Sequence, residues 1–386
     1  PRNLAVVFSQ WDEFSALMWL TPKATDAGKT DKMKALFNTT EDIEVGKVYG
    51  DIAAGTARVL YQPRVVHPGD HLSQEAIGYA VDWFQRTLEG GKKIPANQQI
   101  WYWKEIGTLI ALIGFFMFLV AVGGLLLTTG CFKSIADPLP AAKGPVVIGW
   151  WIAVVLTGVI GPLTLFTFKK WAEKLVPASK TFPQSITNQV VFWAVLNGLI
   201  VLILFLVWHF LLLKKDQRGT ADEYGLTWNG KLEWGKIGKA FMLALSVVSL
   251  GYATLVVSDF FFKTDYRFWV FAVKLPSLQQ FDIALRYMIP LFFYFFLASM
   301  GLFAQIRRAN LNMWQEMGVN TAIFVVAYLG LLLYQYIPMW INGMLTIPTE
   351  PLWTIIAYQY LPILSLAGAL TTFFYRATGR IYTGAF

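Results

Sequence analysis

The chain has 386 residues, of which 56% are hydrophobic and only 15% are charged, with a formal net charge of +8. Soluble domains carry about 25% charged residues, so the composition excludes an ordinary soluble protein over most of the length. Basic residues stand beside apolar runs, as at Lys169 and Lys214. This pattern favours a lipid bilayer over nucleic acid as the partner. The single cysteine, Cys131, excludes an internal disulfide and a cysteine metal cluster.

The first hundred residues are charged at the density of a soluble protein, which places a domain boundary near residue 100. The apolar run Asn3–Phe8 predicts a buried strand, and Asp12 follows it closely. A carboxylate just past the carboxyl end of a buried strand is where open α/β sheets place functional groups. Residues 31–37 predict a short helix, and residues 57–61 predict a second strand.

A histidine-containing loop follows the second predicted strand. It contains His67, Asp70 and His71 and leads to Ser73, a favourable helix N-cap. Apolar residues at helical spacing follow, and the glycines at 90 and 91 predict the end of that helix. The order of elements is therefore strand, acid, helix, strand, histidine and helix.

This order resembles the C-terminal third of an α/β-hydrolase domain, over about a quarter of the chain. The resemblance implies that Asp12 is the triad acid and that His67, or alternatively His71, is the triad histidine. Ser9 stands where the family usually has glycine. We prefer His67 because it directly follows the strand, whereas His71 has the Gly-x-His context. A metal site formed by His67, Asp70 and His71 is a further alternative; no cofactor is expected.

One large departure from the family concerns the nucleophile. The Gly-x-Ser-x-Gly elbow of this family does not occur in the sequence, and the family's upstream strands are missing too. The chain begins with Pro1 and not methionine. We expect an upstream region or a second chain to supply the serine; a degenerate domain and an accidental resemblance are the alternatives. The run from Leu4 to Phe8 is apolar on both faces, which predicts an interior strand with neighbours on both edges.

The remainder, residues 101–386, predicts a transmembrane helical domain. Runs of about twenty mostly apolar residues predict seven spans, at 106–128, 145–167, 189–213, 239–262, 284–305, 319–344 and 352–374. We interpret residues 268–281 as an interfacial or re-entrant piece. Asn197 and Gln335 are expected to form hydrogen bonds between helices. Lysine and arginine are nearly balanced between the two sides, so the orientation is not decided.

The predicted fold is therefore mainly α: a polytopic transmembrane bundle of about seven spans, preceded by a partial α/β-hydrolase-like segment. The leading functional hypothesis is a serine hydrolase of the cell membrane that acts on an ester, amide or peptide, with its nucleophile supplied from outside this sequence. The alternative is a non-catalytic membrane scaffold or transport subunit with a degenerate soluble domain. Finding the serine elbow upstream would discriminate between the two.

Overall fold

The computed structural model describes residues 2–142 and 147–386. Contacts divide the chain into two compact units. The first unit comprises Pro1–Leu109, Arg267–Phe271 and Gly330–Gln359, and the second comprises Ile110–Tyr266, Ala272–Leu329 and Tyr360–Phe386. These units are not consecutive pieces of sequence, and the domain boundary near residue 100 stays a prediction.

The segment before residue 100 contains two strands and three helices. They are β1 Leu4–Val7, α1 Ser15–Trp19, α2 Asp31–Phe37, β2 Arg58–Tyr61 and α3 Gln74–Thr87, with 3-10 turns at Ala24–Lys29 and His67–Leu72. Both predicted strands and the helix at 31–37 are confirmed. The predicted N-cap of α3 is confirmed as well, because the Ser73 side chain accepts a hydrogen bond from the Ala76 N–H at 3.1 Å.

Helix α3 ends one residue earlier than the glycines at 90 and 91 predict, since a terminating glycine follows the C-cap residue. The helix stops at Thr87, because Leu88 adopts an extended conformation with φ −113° and ψ 144°. The glycines at 90 and 91 lie in the turn beyond it, where Gly90 has a φ of +81°.

The two strands form a parallel sheet with Leu4 opposite Arg58 and Val7 opposite Tyr61. One apolar cluster, which includes Phe8, Met33 and Leu60, packs against Val6. A second cluster contains Val59, Tyr61 and Trp83 and packs against Ala5 and Val7. Strand β1 is therefore covered on both faces, as its apolar sequence indicates. Its second edge has no strand partner among the described residues.

Within residues 2–142 and 147–386, seven helices are long and apolar enough to cross a membrane, and this number agrees with the seven predicted spans. They are α4 Trp101–Leu127, α5 Val147–Leu175, α6 Ser185–Val207, α7 Trp234–Phe262, α8 Leu278–Met300, α9 Met313–Asn342 and α10 Pro351–Thr378. Residues 145 and 146, where the second predicted span begins, lie outside the described residues. Helix α6 continues as a π-helical turn, Trp208–Leu212, and α8 as another, Gly301–Ile306. The chain is an integral membrane protein.

The stretch 268–281, predicted to be interfacial or re-entrant, begins within a short hairpin. Its strands are β3 Tyr266–Phe268 and β4 Phe271–Val273, and Trp269 between them has a φ of +54°. The last residues of that stretch belong to the start of α8. A short final helix, α11 Tyr382–Ala385, follows the seventh span.

Polar side chains within the spans bond between helices, as predicted for two of them. The Asn197 amide donates to the Thr164 hydroxyl at 3.1 Å, and the Gln335 amide donates to the Thr354 hydroxyl at 2.7 Å. Glu316, which is only 1% exposed, forms ion pairs with Arg307 and Arg376. Such pairing is required because lipid provides no hydrogen bonds to an isolated polar group.

Candidate active site

The candidate site lies where the chain leaves the two parallel strands. The Phe8 N–H donates to the Tyr61 carbonyl at 2.9 Å, and two residues later the Gln10 N–H donates to the Pro63 carbonyl at 2.9 Å. A bridge between Trp11 and Val66 extends this parallel pairing. The two segments thus stay in register beyond the regular strands. Asp12 and His67, which come next in each, are consequently side by side.

Asp12 and His67 form a direct hydrogen bond. The Asp12 Oδ2 and the His67 Nδ1 are 2.8 Å apart, and the other carboxylate oxygen accepts the Phe14 N–H at 2.8 Å. Asp12 is only 2% exposed, whereas the His67 side chain is 40% exposed. The Phe14 ring packs edge-on against the imidazole, with 5.0 Å between ring centroids. A buried carboxylate thus holds one ring nitrogen of a histidine whose side chain is still partly open to solvent.

The hydrogen bond to Asp12 raises the pKa of His67, and partial burial of the ring opposes the rise. Since Asp12 engages Nδ1, the neutral ring carries its proton there and leaves Nε2 as the basic nitrogen. Nε2 has no hydrogen-bond partner in the described part of the chain. The arrangement can therefore accept a proton from a group that approaches Nε2.

Glu13 secures the histidine loop through two hydrogen bonds. One carboxylate oxygen accepts the His67 backbone N–H at 2.9 Å, and the other accepts the Tyr336 hydroxyl of α9. Glu13 is 5% exposed, and burial raises its pKa to about 7, against the lowering effect of the Tyr336 and His67 hydrogen bonds. The acid beside the candidate pair thus titrates near neutral pH.

Two further contacts hold the loop that carries His67. The Ser9 hydroxyl donates to the Asp70 carboxylate, and burial raises the pKa of that carboxyl. The Trp269 indole N–H donates to the Pro68 carbonyl at 2.5 Å. The second and the fourth residue of the short 3-10 turn are thereby held in place, so the position of His67 is set by several elements of its unit.

The structure brings His67, and not His71, to Asp12. His71 stands at the far end of the same 3-10 turn and is exposed. The metal alternative for this loop finds no support, because no group of three histidine, cysteine or acidic side chains in residues 2–142 and 147–386 is placed to hold an ion. The catalytic roles of Asp12 and His67 stay predictions.

Sequence reasoning missed the roles of Glu13, Tyr336 and Trp269. The adjacent carboxylates of Asp12 and Glu13 after an apolar strand gave a usable signal, since two acids in a row at a strand end need separate partners. Tyr336 gave none. It lies 323 residues from Glu13 in sequence and looks like any other aromatic residue of a membrane span.

None of the three serines before residue 100 is available to His67. The Ser9 hydroxyl bonds Asp70, the Ser15 hydroxyl donates to the Pro22 carbonyl at 3.1 Å, and the Ser73 hydroxyl caps α3. All three are buried. The two residues that were predicted as the acid and the base of a triad are together here, and the segment offers no serine for the third position that this prediction requires.

Comparison of the chain with protein-family models, with curated proteins and with solved structures gives no match.

Proposed function

We propose that this chain supplies the acid and the base of a serine hydrolase of the α/β-hydrolase type. The observation that carries the proposal is the 2.8 Å hydrogen bond between Asp12 and the Nδ1 of His67. It lies just beyond the carboxyl ends of two parallel strands, where such folds place catalytic groups, and Nε2 is left open. A buried carboxylate that orients an exposed imidazole is the acid–base half of a triad.

The proposed reaction needs a serine from an upstream region or a second chain. The His67 Nε2 removes the proton of that serine hydroxyl while the oxygen attacks the acyl carbon, and then returns the proton to the leaving group. Water hydrolyses the acyl-enzyme by the same proton route. Asp12 holds the Nδ1–H tautomer and stabilises the imidazolium. The substrate is an ester, an amide or a peptide.

The open edge of β1 supports the proposal that an upstream region or a second chain completes the hydrolase domain. Apolar residues cover both faces of this strand, which is the environment of an interior strand. In the proposed complete domain, another strand pairs with that edge and brings the nucleophile. The Glu13–Tyr336 hydrogen bond places the pair next to a membrane-spanning helix, so we place the reaction at the surface of the cell membrane.

A fluorophosphonate probe, which labels activated serines, tests the proposal in native membranes with all partners present. We expect a labelled serine on the upstream region or the second polypeptide. His67→Ala and the more conservative His67→Gln should abolish the label, and the matched control His71→Ala should keep it. Equal labelling of the His67 and His71 variants would overturn the proposal. If the intact assembly takes no label, the non-catalytic scaffold role replaces the hydrolase.

A further inference from the structure

Three polar side chains connect the histidine loop to two membrane-spanning helices of the first unit. The Tyr336 hydroxyl of α9 donates to the Oε1 of Glu13, and a side-chain hydrogen bond joins Tyr336 to Tyr358 of α10. The two tyrosine rings lie 5.4 Å apart between centroids. Glu13 and Tyr336 are buried, and Tyr358 is half-buried. With so little exposure to water, Glu13 depends on these partners in both of its charge states.

The hydrogen bonds of Glu13 leave one place for a proton on its carboxyl group. Oε2 accepts the His67 backbone N–H at 2.9 Å. A backbone N–H can only donate, so Oε2 stays an acceptor in both charge states. The proton of neutral Glu13 therefore lies on Oε1, which faces the Tyr336 hydroxyl.

The two charge states of Glu13 need opposite hydrogen-bond directions, because each tyrosine hydroxyl has only one proton to donate. When Glu13 is ionised, Tyr336 donates to the carboxylate and accepts the Tyr358 hydroxyl. When Glu13 is neutral, its carboxyl group donates to Tyr336, and Tyr336 donates to Tyr358. The protonation of Glu13 is thus coupled to a tyrosine that lies one hydrogen bond further away.

The charge of Glu13 changes near neutral pH and acts on the histidine. Burial raises the pKa of Glu13 to about 7, the Tyr336 and His67 hydrogen bonds oppose the rise, and the Asp12 carboxylate adds to it. Asp12 on the same segment, His67 on its loop and Tyr336 on α9 are the titratable groups that face Glu13, and Tyr358 lies beyond Tyr336. The negative charge of Glu13 contributes to the raised pKa of His67.

We propose that Glu13, Tyr336 and Tyr358 form a pH-sensitive switch that links the charge beside His67 to the direction of hydrogen bonding in α9 and α10. Below the Glu13 midpoint the hydrogen bonds run from Glu13 to Tyr358, and above it they run from Tyr358 to Glu13. Each tyrosine keeps one proton in both states, so the only proton gained or lost is that of Glu13. The switch needs no serine and does not depend on the proposed hydrolase.

Carbon-13 NMR of the glutamate carboxyl groups, on the full chain in detergent, tests the switch by measuring the Glu13 midpoint. The Glu13 signal is the one that Glu13→Gln removes. Tyr336→Phe loses the donor to the carboxylate and should raise the midpoint by about one pH unit, the equivalent of one hydrogen bond to a charged group. Tyr358→Phe loses the acceptor that the neutral state needs and should lower the midpoint.

These opposite shifts separate the switch from a merely structural role, because a general loosening of the packing would move both midpoints in the same direction. The matched control Tyr334→Phe alters an exposed tyrosine of α9 and should leave the midpoint unchanged. The His67 ring, followed in the same way, should titrate at a lower pH in Glu13→Gln.

Shifts of the same sign in the two tyrosine variants would overturn the proposal. So would a His67 midpoint that is the same in Glu13→Gln and in the unaltered chain. If Tyr336→Phe does not fold, a lowered Glu13 midpoint in Tyr358→Phe still supports the switch, and an unchanged one overturns it.

Discussion

The buried Asp12 carboxylate uses both of its oxygens, one for the Phe14 N–H and one for the His67 ring. We predict that Asp12→Asn lowers the pKa of His67, because the hydrogen bond to the carboxylate is the largest cause of its raised value. The chain has three histidines, so the ring resonances can be assigned by NMR and titrated individually. A lower His67 midpoint in the variant is the expected result.

The matched control is Asp82→Asn on α3, which removes an exposed carboxylate paired with Arg86. It should leave the His67 midpoint unchanged. Equal midpoints in the Asp12 variant and the unaltered chain would show that Asp12 does not hold the imidazole. The direction of this pKa shift also determines how the stability of the protein depends on pH. Because the folded-state pKa of His67 is raised, its stabilising contribution is complete below the unfolded value and is lost as the pH rises through the folded one.

Glu13 should stabilise the folded protein in its neutral form, since burial favours that form. His67, in contrast, stabilises it in the charged form. Its pKa rises from 4.5 to about 7, so the folded state binds its proton more tightly than the unfolded state does. The contribution is complete below about pH 4.5 and falls as the pH rises to about 7, by up to about 3 kcal/mol. We predict that Glu13→Gln removes this part of the pH dependence of Tm.

Thermal unfolding in detergent across pH 4 to 8 measures the effect. Glu44→Gln is the matched control, because Glu44 is exposed and forms an ion pair with the nearby Lys47 on the surface. The control should keep the slope of the unaltered chain. A Glu13→Gln variant with that same slope would mean that the pKa of Glu13 is not raised in the folded protein.

At the scale of residues, the sequence predicts the Asp12–His67 hydrogen bond because both groups follow strands whose carboxyl ends meet at one sheet edge. It does not predict Glu13–Tyr336, since that contact depends on tertiary packing across most of the chain length. The local sequence pattern specifies which side chains follow the carboxyl end of a strand. It does not specify which distant side chain meets them.

At the scale of elements, strand β1 has only one of its edges paired within the part of the chain that the structure describes. The Leu4 N–H donates to the carbonyl of Ala57, just before β2, and the Phe8 N–H donates to the Tyr61 carbonyl. Alternation along a strand directs the Ala5 N–H to the opposite, open edge. We predict that Ala5→Pro preserves the pairing of β1 with β2 and abolishes fluorophosphonate labelling, because proline blocks the strand that the proposed hydrolase needs there.

Val6→Pro is the matched comparison, since the Val6 N–H faces β2 by the same alternation. It should lose a ladder hydrogen bond and destabilise the protein by about 1 kcal/mol or more. Tm and probe labelling, measured together, separate the two effects. Full labelling of a stable Ala5→Pro variant would exclude the open edge as the place where the missing part of the domain pairs.

Long apolar runs in the sequence predict the seven spans. Shorter apolar runs and a helix-capping residue predict most of the small elements before residue 100. The π-helical turns after α6 and α8 escaped prediction because a change in hydrogen-bond register leaves no mark on apolar composition. Helix α9 gives a further example. Pro338 frees the Tyr334 carbonyl, and the hydroxyl of Thr346 donates to it, a compensation visible only after folding.

At the scale of the whole molecule, the order of the seven spans fixes which connectors share a side of the membrane, because each span crosses it once. The connector after α7 must return to the side of the N-terminal segment, and within the first unit Trp269 does donate to the Pro68 carbonyl. The connectors after α4 and α6 must share the other side. Within the second unit, the Trp228 indole donates to Asp137 at 2.6 Å, as this requires.

The single cysteine allows a direct test of this topology. Cys131 is free and exposed in the connector after α4, so we predict that it faces the side opposite the N-terminal segment. In sealed vesicles, an impermeant maleimide should label Cys131 from one side. It should label a Lys92→Cys variant, made in a Cys131→Ser background, from the other.

Lys231→Cys in the same background is the control, because its connector follows α6 and should be labelled from the same side as Cys131. Labelling of the position 92 and position 131 thiols from one side would contradict seven spans. The experiment also decides the orientation, which the nearly balanced basic residues do not.

The hydrogen bond between Glu13 and Tyr336 has a practical consequence for recombinant production. A fragment that ends near residue 100 would lose the Tyr336 hydroxyl and leave a buried carboxyl group without that partner, and the Pro68 carbonyl would lose the Trp269 indole. The same fragment would still carry the open edge of β1, which can template strand pairing between molecules. We expect such a fragment to aggregate, so crystallisation and enzymology should begin from the detergent-solubilised full chain.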